Sequence, residues 1–146
     1  MIRERCGIVG IRIRSGSVAH LVNQGLYALQ HRGQESCGIF VYDGRELKGH
    51  KAMGMVANTF SDSILTKLDG TVGIGHVRYS TTPGTSVQEA QPFLCKVNGS
   101  LFAVAFNGTI SNFIERRQAL KESGYRFSTR TDTEVLAYSI AEAHKE

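Results

Sequence analysis

Two dipeptides, Asp43-Gly44 and Asn98-Gly99, constrain the fold most, because each separates two runs of strand-forming residues. Asp-Gly and Asn-Gly tolerate the positive φ angles of a type I′ turn, which closes a tight antiparallel hairpin. The flanking runs are residues 37–42 and 45–51 for the first turn, and residues 92–97 and 100–106 for the second. The sequence therefore predicts two β-hairpins.

Helical and further strand patterns surround the hairpins. Apolar residues recur at helical spacing over residues 18–30, and Gly33 follows as a C-terminal stop. Further helices are predicted over residues 61–68, closed by Gly70, over residues 112–123, closed by Gly124, and from a capping box at Thr131–Glu134 to the chain end. Strands are predicted over residues 7–13 and 72–79. Hairpins mixed with helices indicate an α+β fold rather than a regular βαβ alternation.

Composition excludes several classes of protein. The 146 residues fit one domain, and their 17 Lys and Arg against 13 acidic residues are scattered, which gives no nucleic-acid surface but allows an acidic small ligand. No apolar stretch approaches the roughly 18 residues of a membrane span, and no secretory signal is present, so a cytoplasmic protein is expected. Three cysteines, Cys6, Cys37 and Cys95, lack C-x-x-C spacing, which argues against a disulfide framework and a zinc site.

Four segments carry more special residues than folding alone requires, namely residues 6–10, 29–36, 75–81 and 107–112. With two further stretches they form an ordered set that reads C-G-I-V-G-I, L-Q-H-R-G-Q-E-S, G-I-G-H-V-R-Y-S-T-T, A-Q-P-F, N-G-T-I-S-N and T-D-T-E-V-L. In order and spacing they resemble the class II glutaminase domain of the amidophosphoribosyltransferase family, over nearly the whole chain. The resemblance implies release of ammonia from L-glutamine, as part of purine biosynthesis.

The resemblance assigns a nucleophile and an oxyanion hole. In this family the mature N-terminal cysteine attacks the amide carbon, with its own α-amino group as the base, and the matching residue is Cys6. Asn107 and the backbone N–H of Gly108 match the oxyanion hole. Residues 1–5 would keep the nitrogen of Cys6 in an amide, so we expect them to be a leader that is removed, with residues 6–146 as the N-terminal part of the glutaminase domain.

The resemblance also assigns the groups that bind glutamine. Arg78 would bind the α-carboxylate through a bidentate contact, assisted by Thr81, and Asp132 would bind the α-ammonium group. Arg32 and Tyr79 match residues that support or close the site. His76 matches by position alone, and both a structural and a functional role remain open for it.

The implied fold is a partial four-layer αββα sandwich of the N-terminal-nucleophile hydrolase type. We expect residues 7–13 in a central strand and the helix over residues 18–30 packed on one face. Cys6, Arg78, Asn107, Gly108 and Asp132 should converge on one pocket.

Three departures from the family pattern qualify this interpretation. Phe106 stands where the family usually has His, Pro83 interrupts the loop after Thr-Thr, and no segment resembles the phosphoribosyltransferase domain or its phosphate-binding loop. No cofactor is expected in this segment, and Mg²⁺ is expected only with the missing domain. The expected partners are glutamine and a phosphoribosyltransferase domain or chain, or another copy of this chain. The alternative is a non-catalytic glutamine-binding or regulatory subunit that a partner chain completes.

Overall fold

The computed structural model describes residues 6–79, 86–97 and 99–144. Its strands, in chain order, are β1 (Gly7–Arg12), β2 (Ser36–Tyr42), β3 (Leu47–Met53), β4 (Val72–Arg78), β5 (Phe93–Val97) and β6 (Ser100–Val104). Its α-helices are α1 (Ala19–Ala28), α2 (Val56–Thr59), α3 (Asp62–Leu65), α4 (Phe113–Glu122) and α5 (Asp132–Ala143). Short 3-10 turns lie at Gln30–Arg32 and Val87–Glu89.

The strands form two antiparallel sheets. One has the order β1-β4-β2-β3 and the other pairs β5 with β6, so the predicted α+β class is confirmed. The prediction of a central first strand is wrong, because within the described residues β1 pairs only with β4 and lies at the sheet edge. An alternating apolar pattern encodes which face of a strand is buried, but not the position of that strand in the sheet.

Helix α1 packs on one face of the four-stranded sheet, as predicted. Its core residues Val22 and Leu26 are fully buried against Ile39 and Val77. This close packing requires a glycine in β4, because a Cβ at Gly75 would lie 2.6 Å from Val22 Cγ1. The helix therefore lies directly on the strand that ends at Arg78.

Gly33 does not act as the predicted helix stop. The helix ends before a 3-10 turn, and Gly33 itself is extended, with φ −159°. A Cβ at Gly33 would lie 2.6 Å from the carbonyl carbon of Arg78. Glycine is required here because two backbone segments approach closely, not because a helix ends.

Both predicted hairpins are present, with one correction. In the first, Tyr42 pairs with Leu47, so the loop has the four residues 43–46 instead of a two-residue type I′ turn. The Asp43 carboxylate accepts the N–H groups of Arg45 and Glu46, which stabilises this wider loop and lowers the pKa of Asp43 to about 2. In the second, Val97 pairs with Ser100 around a two-residue loop, of which Asn98 lies outside the described residues.

Helix α5 covers the two-stranded sheet. Ala137 and Ala141 pack against Phe93 and Cys95 in a second buried cluster. The sequence predicted helices near α3, α4 and α5, but not α2. The helix predicted over residues 61–68 is shorter in the structure, where α3 spans Asp62–Leu65. In the part of the chain that the structure describes, no helix has the length and apolar character that crossing a membrane requires.

Candidate active site

One cavity of about 680 Å³ gathers residues from distant parts of the chain, in the size range of small-ligand sites. Its lining includes all five residues that were predicted to converge, namely Cys6, Arg78, Asn107, Gly108 and Asp132, together with Tyr79. Residues that the sequence did not single out for a role also line it, among them Glu89, Gln91 and Phe106. Thr81 and Pro83 lie outside the described residues.

Cys6 precedes the first residue of β1 and is half-buried at the cavity. Its thiol points toward the backbone oxygen of Tyr79 at 3.9 Å. The other two thiols, which are also free, are buried in the two cores, where burial raises the pKa of Cys37 and raises that of Cys95 to about 11. Since the thiolate is the nucleophilic form, Cys6 is the best placed of the three for chemistry.

Two side chains hold the backbone of Cys6. Its carbonyl oxygen accepts Arg32 Nε at 2.8 Å and Asn107 Nδ2 at 3.2 Å. Arg32 lies in the 3-10 turn that follows α1, and its side chain contacts the site by binding the Cys6 carbonyl. Asn107 follows β6 in the chain and Cys6 precedes β1, so the bond between them links the two sheets.

Arg78 is already engaged with two carboxylates. Its Nη1 donates to the backbone oxygen of Glu89 at 3.1 Å and lies 3.3 Å from Glu89 Oε2, while its Nε lies 3.8 Å from Glu35 Oε2. All three side chains are largely buried. A substrate carboxylate therefore meets an arginine whose charge is compensated, which the sequence did not anticipate.

Gly108 is constrained by the side chain of Phe106. A Cβ at Gly108 would lie 2.8 Å from Phe106 Cζ, so a larger residue here would require the Phe106 ring to move. The N–H of Phe106 donates to Gln91 Oε1 at 2.7 Å. Gln91 belongs to the A-Q-P-F segment, whose presence was noticed in the sequence but whose contacts could not be foreseen.

Asp132 is the first residue of α5, and its Oδ2 accepts the N–H of Ile110 at 3.2 Å. This bond ties the segment after Asn107 to the helix. An acidic residue in the first turn of a helix is also favoured by the helix dipole. The carboxylate thus lies beside the cavity with a structural partner on one side.

The capping box predicted at Thr131 and Glu134 is wrong. Thr131 makes no side-chain cap, and the fully buried Glu134 carboxylate instead accepts the N–H and hydroxyl of Ser128 and of Thr129 at 2.6–3.0 Å. The Thr129 hydroxyl in turn accepts the N–H of Thr131 at 3.2 Å. Glu134 therefore holds Ser128 and Thr129, which precede Asp132 in the chain. Its carboxylate does not bind the Thr131 N–H as a capping box would.

The residues present do not form a metal centre. Within residues 6–79, 86–97 and 99–144, no group of three or more His, Cys, Asp or Glu side chains is arranged to hold an ion.

A thiol, an amide side chain, a glycine backbone and two charged groups thus surround one cavity on an antiparallel α+β scaffold. A family model described as "Glutamine amidotransferase domain" matches residues 60–146. The chain belongs to this family of glutamine amidotransferase domains.

Proteins similar to the chain are amidophosphoribosyltransferases. The one from Methanothermobacter thermautotrophicus is 43% identical over 147 residues, covering 99% of this chain and 31% of the relative. The one from Bacillus subtilis is 41% identical over 141 residues, covering 95% of this chain and 29% of the relative. The chain thus spans about a third of the length of these relatives.

A solved structure of the glutamine phosphoribosylpyrophosphate amidotransferase from B. subtilis, complexed with ADP and GMP, superposes with a TM-score of 0.81. It is 38% identical, and the match covers 90% of this chain and 28% of that chain. The expected N-terminal-nucleophile hydrolase fold is confirmed by this likeness. The roles assigned to individual site residues stay predictions.

Proposed function

We propose that the chain hydrolyses the side-chain amide of L-glutamine, with Cys6 as the nucleophile. The observation that carries this proposal is the meeting of Cys6 with Asn107, Gly108 and Asp132 at one cavity, across 126 positions of sequence from residue 6 to residue 132. A thiol, two neutral donors and a carboxylate have no structural need to share a cavity. They do fit the groups of glutamine and the charges that develop during acyl transfer.

In the proposed reaction the Cys6 sulfur forms a bond to the amide carbon, and its proton passes to the Cys6 α-amino group. Asn107 Nδ2 and the Gly108 N–H stabilise the oxyanion. Collapse of the oxyanion breaks the C–N bond, and ammonia leaves with the proton from the amine. Water then hydrolyses the thioester and releases glutamate.

Substrate binding is assigned to the charged groups of the site. Asp132 binds the α-ammonium group, and Arg78, with Thr81, binds the α-carboxylate. Arg32 holds the Cys6 carbonyl, and Tyr79 borders the nucleophile. None of these steps calls for a cofactor in this part of the chain.

The α-amino group of Cys6 is free only after residues 1–5 have been removed. We infer that they are a leader. The Cys6 thiol attacks the Arg5 carbonyl, the Arg5–Cys6 peptide bond breaks to free the Cys6 amine, and water hydrolyses the resulting thioester, which releases residues 1–5 and restores the thiol. Intact mass of the purified chain tests this inference: loss of the first five residues is expected, whereas a mass that retains them contradicts it.

The released ammonia is proposed to serve a phosphoribosyltransferase domain or chain in purine biosynthesis, in the cytoplasm. This assignment is supported by the similarity to amidophosphoribosyltransferases, of which the chain spans about a third. Mg²⁺ would belong to that domain. Association with another copy of the chain is the alternative arrangement.

A second candidate function is a glutamine-binding subunit without turnover. One observation favours it: Phe106, which has no hydrogen-bonding side chain, lines the cavity at the place where the family usually has His. Binding of glutamine by calorimetry without ammonia release, in a chain shown by mass to begin at Cys6, would support this alternative.

The nucleophile is tested with a glutamine-mimicking diazoketone, which alkylates an attacking thiol and loses N₂. Wild type is expected to be labelled once, at Cys6, and glutamine should protect it. The Cys6→Ser variant should lose nearly all labelling and ammonia release, because a hydroxyl is far less acidic than a thiol. The matched control is Cys37→Ala, which removes one buried thiol and should leave the labelling unchanged. Equal labelling of Cys6→Ser would show that another residue is the nucleophile.

A further inference from the structure

The residue before Asn107 is held by a buried side chain from another element. The N–H of Phe106 donates to Gln91 Oε1 at 2.7 Å, and Gln91 is only 7% exposed.

Gln91 reaches Phe106 from a different part of the fold, because it lies between a 3-10 turn and β5. Phe106 follows the end of β6, where the ladder of sheet hydrogen bonds has stopped. Its N–H would be unpaired at this point without a side-chain partner, and buried unpaired groups are costly.

Fixing Phe106 also fixes the donors that follow it. The bond to Gln91 fixes the peptide plane that contains the Phe106 nitrogen and Cα, one residue before Asn107, and so restricts the directions that the Asn107 backbone can take. The Phe106 ring meets the position where Gly108 turns, as the 2.8 Å approach of a Cβ shows. Asn107 Nδ2 then reaches the Cys6 carbonyl at 3.2 Å, inside the cavity.

We propose that Gln91 is a positioning residue for the glutamine site, which holds the Phe106 backbone so that Asn107 and Gly108 present their donors to the oxyanion. This inference rests on the proposed function. Oxyanion donors act only when they are held in place before the reaction, so a positioning residue affects the chemical step more than substrate binding.

The test uses the full chain and the substitution Gln91→Met, which keeps the shape of the side chain and removes its acceptor oxygen. The matched control is Gln88→Met, because Gln88 is exposed in the 3-10 turn that precedes Gln91. Diazoketone labelling of Cys6 is measured over a range of reagent concentrations, which separates the maximal rate from the half-saturating concentration. Gln91→Met is expected to lower the maximal rate about ten-fold or more while the half-saturating concentration changes less than about three-fold. Gln88→Met should match wild type.

A second measurement reads the contact without any activity. Hydrogen exchange of the Phe106 amide, followed by NMR, should be protected in wild type and Gln88→Met and exposed in Gln91→Met. Gln91→Glu retains an acceptor oxygen, so it should restore both protection and labelling rate.

The possible failures are distinct. Unlabelled wild type would overturn the proposed glutaminase function, and amide exchange would still decide whether the contact exists. Protection that persists in Gln91→Met would overturn the contact. Lost protection with an unchanged maximal rate, or a change confined to the half-saturating concentration, would overturn the positioning role.

Discussion

At the scale of single residues, Arg78 is the side chain whose behaviour depends most on its neighbours. The guanidinium suits a substrate carboxylate, but Glu89 and Glu35 already compensate its charge. Glutamine binding therefore requires an exchange of one carboxylate for another. The free energy gained from that exchange is small compared with the free energy gained when a carboxylate binds an unpaired arginine.

Substitutions on the two sides of this ion pair should have opposite effects. Glu89→Gln removes the competing charge, and a partly buried pair of this kind is worth about 1 kcal/mol, so KM for glutamine should fall roughly five-fold. Arg78→Lys keeps the charge but loses the bidentate fork, so KM should rise about ten-fold or more with little change in kcat. Both are measured from ammonia release against glutamine concentration.

The control for the charge change is Glu46→Gln. Glu46 also pairs with a basic residue, Lys48, but its side chain is 69% exposed in a hairpin loop. This variant has the same net charge as Glu89→Gln and should keep the wild-type KM. A KM for Glu89→Gln that rises instead would mean that Glu89 orients Arg78 and does not compete with the substrate.

At the scale of elements, the approach to helix α5 depends on one buried carboxylate. Glu134 accepts four hydrogen bonds from Ser128 and Thr129, and these residues precede the segment that carries Asp132. A neutral amide offers one acceptor oxygen where four donors converge, and its NH₂ group faces those donors. The geometry makes the carboxylate hard to replace.

Glu134→Gln should lower the free energy of unfolding by about 2–4 kcal/mol, because buried donors lose their partner. Urea unfolding followed by circular dichroism measures this change. Glu142→Gln on the same helix is the control: Glu142 pairs with Arg116, but its side chain is 32% exposed, and the expected loss is below about 1 kcal/mol. Equal losses in the two variants would contradict the special role of Glu134.

At the scale of the whole molecule, the buried His76 should make stability depend on pH. Its pKa is lowered from 6.5 to about 4, chiefly by burial, with the nearby Arg78 charge adding to the effect. The folded state therefore binds fewer protons than the unfolded state between these values. Stability from this group is complete above pH 6.5 and is lost as the pH falls toward 4.

Wild type should lose roughly 2–3 kcal/mol of unfolding free energy from this group between pH 7.5 and pH 4.5, at about 1.4 kcal/mol for each pH unit. His76→Gln has no titrating ring and should lose correspondingly less over the same interval. Urea unfolding of both proteins at the two pH values gives the difference. Parallel losses would show that carboxylates, and not His76, control the acid sensitivity.

The sequence allowed some of these features to be predicted and concealed others for physical reasons. The family resemblance of the motifs that carry Cys6, Arg78, Asn107 and Asp132 was enough to expect one shared cavity. The capping box failed because T-x-x-E also fits a carboxylate that turns toward Ser128 and Thr129, and only the folded approach to the helix decides between the two. Gln91 was missed because a side-chain bond to a backbone 15 positions away leaves no periodic signal.

The bond between Asn107 and the Cys6 carbonyl spans 101 positions and has a consequence in time. A ribosome adds roughly 5–20 residues per second, so the stretch from Cys6 to Asp132 takes on the order of ten seconds to synthesise. During that interval the thiol has been made, while its donors and its carboxylate partner have not. The nascent chain thus carries the Cys6 sulfur, its most reactive atom, well before the residues that complete the site have been synthesised.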